Sequence, residues 1–121
     1  MKYLRIKFTL LILLIPTITL CEEEKSVEDL ARELNEVKMS VCSQFEKLAE
    51  DIGFYRQAGK SFKEMYPKYA ATDDSDVQKR IEEIFYEGYD LPYIGASGDG
   101  YQIVMRFKER IFKRCMRYWW D

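Results

Sequence analysis

A chain without a single histidine lacks the commonest general base and the commonest metal ligand together. Carboxylates, Ser, Lys and Tyr remain, and no grouping of them has a catalytic spacing. The segment Gly95-Ala96-Ser97-Gly98-Asp99-Gly100 comes nearest to a motif. A phosphate loop needs Lys and Ser or Thr directly after its last glycine, where Tyr101-Gln102 stand instead. A nucleophile elbow needs glycine two residues after Ser97, and that position is Asp99. The dinucleotide fingerprint needs a preceding strand and different spacing, so the segment reads as a flexible loop. Asp73-Asp74-Ser75-Asp76 has the residue types of a calcium site, but an EF-hand loop alternates its ligands and carries glycine sixth and glutamate twelfth. This cluster reads as a solvated loop and helix cap. Glu82 and Glu83 are adjacent, so on a helix they diverge by about 100° and do not converge as a carboxylate pair. The expectation is a protein that is not an enzyme, with no cofactor and no metal site.

The three cysteines carry more information. Cys21 closes a segment, residues 1–21, that reads as a secretory signal peptide: Lys2, Arg5 and Lys7 are followed by an uncharged run from Phe8 to Leu20. That run is shorter than the roughly 20 residues of a membrane span and fits a signal h-region, with Thr19 and Cys21 as small residues before a cut at Glu22. Two other readings stay open. The run could be retained as an N-terminal anchor, or Ile18-Thr19-Leu20-Cys21 could be a lipidation motif, although Leu20 is large where that motif wants a small residue. Loss of Lys2, Arg5 and Lys7 takes the formal net charge from −2 to −5. Residues 22–121 are then expected to form a single domain, long enough for one modest core. With Cys21 removed, Cys42 and Cys115 are the two candidates for a bridge in an oxidising compartment. Closing a loop of about 70 residues stabilises by about 4 kcal/mol in the chain-entropy model. Two free thiols or intermolecular bridging are the alternatives.

Binding is therefore the chemistry to look for. Tyrosine is abundant, at positions 55, 66, 69, 86, 89, 93 and 101, and it serves core lining and recognition surfaces alike. The leading candidate is a face for another extracellular protein, formed by Tyr86, Tyr89 and Tyr93 with Leu91 and Ile94. The alternative is a pocket between helices for a small apolar ligand, lined by Phe62, Met65, Phe85, Phe107 and Ile111. A third candidate is an anionic membrane surface met by Arg106, Arg110, Lys113 and Arg117, backed by Trp119 and Trp120. Against it, the basic C-terminal stretch could complement the acidic residues 22–51, with those bases beside Glu33, Glu36, Glu46 or Glu50; this fold-internal pairing is the expectation. Nucleic acid is not expected for an acidic, secreted chain. Asn35 is followed by Glu36-Val37, so no glycosylation sequon is present.

The elements that must position these residues are helical. Val27, Leu30, Leu34, Val37, Val41, Phe45, Leu48 and Ile52 recur at steps of 3 and 4, one apolar stripe on a first helix. Ser26 with Asp29 opens it as a capping box, and Gly53 is the expected stop. Phe54, Ala58, Phe62, Met65 and Tyr69 continue the pattern past Gly59, where a bend is expected; whether residues 54–66 extend the first helix is left open by the sequence. Pro67 should end or kink that stretch near Tyr66. Ser75-Asp76-Val77-Gln78 opens a helix with Val77, Ile81, Ile84, Phe85 and Tyr89 on one side, and Gly88 is its expected cap. Asp99 is expected to cap a final helix whose apolar line is Ile103, Phe107, Ile111, Cys115 and Tyr118. The fold class is thus all-α, a small bundle of three to four helices with one disulfide joining the first and last. No motif selects a family.

Overall fold

A computed structural model describes residues 26–70, 72–95 and 97–120; the expected signal peptide, residues 1–21, lies outside them. Four helices make up the described chain: α1 (Val27–Gln57), α2 (Phe62–Tyr69), α3 (Ser75–Asp90) and α4 (Asp99–Tyr118). It divides into two units between Val37 and Lys38. The first contains the start of α1, where Ser26 Oγ accepts from the Asp29 amide at 3.2 Å and Arg32 pairs with Asp29. The side-chain oxygen at Ser26 thereby satisfies one of the donors a helix start leaves unpaired. In the second unit, the rest of α1 packs with the other three helices as a bundle.

Four boundaries differ from expectation, the two at buried glycines for a packing reason. Gly53 does not stop α1. It is buried within the helix, where an added Cβ would stand 2.9 Å from Val104 Cγ1, so its role is to let α4 approach. Gly88 behaves alike: α3 runs on to Asp90, and a Cβ at Gly88 would lie 2.5 Å from Ile52 Cγ2 and 3.2 Å from Phe107. The true end of α1 is at Gly59, whose φ of 78° suits glycine. There the Lys60 amide donates to Tyr55 O at 3.0 Å and the Gly59 amide to Arg56 O at 3.1 Å, the paired bonds of a Schellman end. Residues 54–57 therefore belong to α1. Ser61 then restarts the chain by accepting from the Glu64 amide, and α2 passes through Pro67 to Tyr69. Asp74, not Ser75, caps α3, its carboxylate accepting from the amides of Asp76 and Val77 at 2.9 and 3.2 Å. At α4 the cap position falls on Gly98, which has no side chain to accept, and Asp99 is the first helical residue.

The core gathers Ala49 and Ile52 from α1, Met65 from α2, Ile81, Ile84 and Phe85 from α3, and Phe107 and Ile111 from α4, sealed by Leu91. Phe85 is its aromatic hub, taking edge contacts from Phe62 and Tyr66 at 5.8 and 5.3 Å. Val104, absent from the expected apolar line of α4, is fully buried against Gly53, whereas Tyr118 at the end of that line is 66% exposed. Cys42 and Cys115 are bridged, with Cα atoms 5.6 Å apart. The Trp120 indole N–H donates to Cys42 Sγ, and Trp119 is held between Phe45, edge-on at 5.2 Å, and the Arg80 guanidinium at 4.7 Å.

Candidate functional site

The loop after α3 is where the fold holds apolar side chains in water. Leu91 turns inward and is 8% exposed, yet Tyr93 and Ile94 beyond it are 60% and 55% exposed. The anchor is Gln57 in the last turn of α1. It is 2% exposed, a polar side chain that burial would penalise unless satisfied. Its Nε2 donates to Pro92 O at 2.7 Å, and its Oε1 accepts from the amides of Ile94 and Gly95 at 2.9 and 3.1 Å. Arg56 Nε donates to Leu91 O at 3.1 Å, and its guanidinium lies over the Tyr93 ring at 5.7 Å. One turn of α1 thus grips the backbone from Leu91 to Gly95.

An aromatic ladder adjoins this loop. Phe62 stacks on Tyr86 at 5.2 Å and meets Tyr89 edge-on at 5.5 Å, and Tyr86 is 66% exposed. Between ladder and loop runs an open cleft of about 540 Å³, lined by Arg56, Gly59, Lys60, Ser61, Phe62, Tyr89 and Tyr93. The Tyr89 hydroxyl is buried without a hydrogen-bond partner, and that burial pushes its pKa up. Tyr86, Tyr93 and Ile94 therefore form the outward part of the expected face, Tyr89 its half-buried wall and Leu91 its inner anchor. Gln57, Arg56 and Lys60 were not anticipated. Gln57 lies one turn beyond Gly53, on the buried side of α1, and a polar residue there is the signal the sequence offered.

The other candidate residues fall out differently. Met65, Phe85, Phe107 and Ile111, expected to line a ligand pocket, are core residues packed in one cluster, and of the expected five only Phe62 borders the cleft. A second groove of about 400 Å³ involves Val41, Phe45, Val77, Arg80 and Trp119. On α4, Lys108 meets Glu50 at 2.8 Å, and that bond holds Glu50 below the usual carboxylate range. Arg114 pairs with Glu83 and Glu87 of α3, and Lys113 with Glu109 of its own helix. These pairs correct the expected complementarity. Lys108 and Arg114 flank the buried line of α4 on its two sides, whereas Arg106, Arg110 and Arg117 occupy the opposite face, are exposed, and form no ion pair among the described residues.

Asp74 of the acidic cluster is occupied as the α3 cap. Among the described residues no helix is long and apolar enough to cross a membrane. No protein-family model, curated protein or solved structure matches this chain.

Proposed function

We propose that this is a secreted, non-enzymatic protein that binds another extracellular protein through the face made by Tyr86, Tyr93 and Ile94 around the Phe62–Tyr89 wall. The observation that carries the reading is the Gln57 clamp. Three hydrogen bonds from one buried side chain fix a loop whose exposed residues are apolar and aromatic. Rigid presentation lowers the ordering cost of association, and exposed tyrosines beside an arginine are the residue types that dominate binding energy. Support for secretion comes from the charged and apolar pattern of residues 1–21 and from a disulfide that persists in oxidising compartments.

The test is capture from extracellular and cell-surface fractions with the wild-type chain beside Tyr86→Ser and Tyr93→Ser. Each change should weaken capture of a partner by roughly tenfold or more without altering the melting profile. Gln57→Leu should weaken it too, through loss of the clamp rather than of contact. Equal capture by all variants would sink the proposal.

A second reading rests on the cations of the outer face of α4. Arg106, Arg110 and Arg117 with Lys113 form a stripe able to meet anionic headgroups, each residue contributing on the order of 1 kcal/mol near such a surface. Co-sedimentation with anionic vesicles at low salt, lost at high salt, is its expected result; no binding at low salt excludes it.

A further inference from the structure

The cleft between the aromatic ladder and the loop after α3 has a charge pattern at odds with the chain around it. The sequence holds more acids than bases, yet the charged side chains lining the cleft, Arg56 and Lys60, are both basic. Neither forms an ion pair among the described residues. Elsewhere in the same bundle, Lys47 meets Asp51 at 3.0 Å and Arg114 meets Glu83 and Glu87. Glu64 of α2 acts on the Tyr89 hydroxyl from nearby, but it does not line the cleft. Ser61 and Phe62, which do line it, stand at the start of α2, where a helix carries the positive end of its dipole. The cleft therefore presents positive potential with no counter-charge among its lining residues.

Arg56 is placed to recognise a carboxylate and not only to attract one. Its Nε donates to Leu91 O and its guanidinium lies over the Tyr93 ring, which fixes the plane of the fork. The terminal N–H groups have no partner among the described residues, and a planar fork held in this way matches the two oxygens of a carboxylate. Lys60, exposed just past the Gly59 turn, adds a point charge without a fixed geometry. The walls offer Phe62, Tyr89 and Tyr93 to an apolar or aromatic group. Apolar surface does not stop at the cleft, because Tyr86 is exposed on the ladder side and Tyr93 and Ile94 on the loop side. A ligand that covers all three extends beyond the cleft, as a protein segment does and a small molecule does not.

We infer that the partner of this face presents an Asp or Glu beside an aromatic or large apolar residue. The carboxylate enters the cleft toward Arg56 and Lys60, and its neighbour packs on the Phe62–Tyr89 wall. This chemistry of the partner rests on the protein-binding reading of the face. Opposite charges set the specificity and the rate of encounter, and the rings around them supply the desolvated surface on which binding energy concentrates.

The experiment is selection of a random peptide library displayed on phage against the disulfide-bridged chain, followed by affinity measurement on the enriched peptides. Those peptides should carry an acid next to an aromatic or large apolar residue. Lys60→Glu should weaken them by about tenfold or more, with the melting profile unchanged because the side chain is exposed. Exchanging the peptide's acid for lysine should restore binding to that variant. Lys68→Glu makes the same change of charge outside the cleft, at another exposed position, and should weaken binding by less than about threefold. Peptides that lose binding on Tyr93→Ser but ignore Lys60→Glu, or that carry no acid, would overturn the inference and leave the face standing. Equal weakening by Lys60→Glu and Lys68→Glu would overturn it as well, since bulk charge and not the cleft would then be responsible. Peptides indifferent to Tyr93→Ser, or no enrichment at all, would overturn both the inference and the face.

Discussion

One helix, α1, contains two regions with the same apolar rhythm and opposite surroundings. Before Lys38 the stripe of Val27, Leu30, Leu34 and Val37 faces water; from Cys42 on, Cys42, Ala49 and Ile52 are fully buried. Hydrophobic periodicity states that a helix has an apolar face, not what covers it. In the later region the cover is intramolecular and close, since the glycines at 53 and 88 let Val104 and Ile52 approach to contact distance. The earlier region has no such glycine, and its apolar positions stay exposed. Core positions must therefore satisfy shape as well as spacing.

The contrast can be broken most sharply by truncating one apolar residue in each region. Phe85→Ala should cost about 3–5 kcal/mol through the cavity it leaves in the core, and Leu34→Ala, measured by denaturant titration, should cost under about 0.5 kcal/mol. Comparable losses would show that the first region is covered after all. Reduction of the Cys42–Cys115 bridge should lower stability by about 4 kcal/mol, seen as a lower thermal midpoint. The solvent exposure of residues 27–37 should not change, and hydrogen exchange at those amides measures it. Gly88→Ala should destabilise by about 1–3 kcal/mol through overpacking against Ile52, although alanine is the better helix former; a stabilised variant would mean that the approach of α1 to α3 is looser than described.

The smallest effect is a titration. The hydrogen bond between the Tyr55 and Tyr69 hydroxyls, 2.6 Å long, with added burial, pushes the Tyr69 pKa up to about 12. An unfolded tyrosine ionises near about 10, so the folded chain retains a proton that the unfolded chain has already lost. That contribution to stability is fully present below about pH 10 and disappears as pH rises through about 12. Tyr55→Phe should move phenolate formation at Tyr69 to lower pH in ultraviolet absorbance, with an earlier alkaline loss of fold. An unmoved Tyr69 titration would refute the pairing.

The helices and the bridge were legible because they are local or combinatorial: steps of 3 and 4 define faces, and two cysteines leave one pairing. The boundaries failed where a residue has two meanings. Glycine at 53 and at 88 reads as a stop, but both are notches, and only the packed neighbour distinguishes the two. The misreading of Gly53 and the omission of Val104 are one error, since each residue explains the other. At the proposed face, tyrosines were visible in composition, but the Gln57 clamp was not. A glutamine on the buried side of a helix signals that its amide must be satisfied, but not that it meets three backbone groups some 35 residues away. The charges of α4 failed similarly: net charge per segment hid the division between cations that flank the buried line and those on the outer face.

The Cys42–Cys115 bridge also decides what a protease can remove. A single peptide-bond cut anywhere between those two residues opens a ring, and both fragments stay on one molecule. The loop from Leu91 to Gly95 lies inside that ring, so a nicked chain still carries it. Arg32, exposed at the start of α1, lies outside the ring, and cleavage after it separates Val27 and Leu30 from the part of the chain that the bridge holds together. Limited digestion by a trypsin-like enzyme would therefore shorten α1 at its exposed start and leave the loop from Leu91 to Gly95 on the bridged remainder.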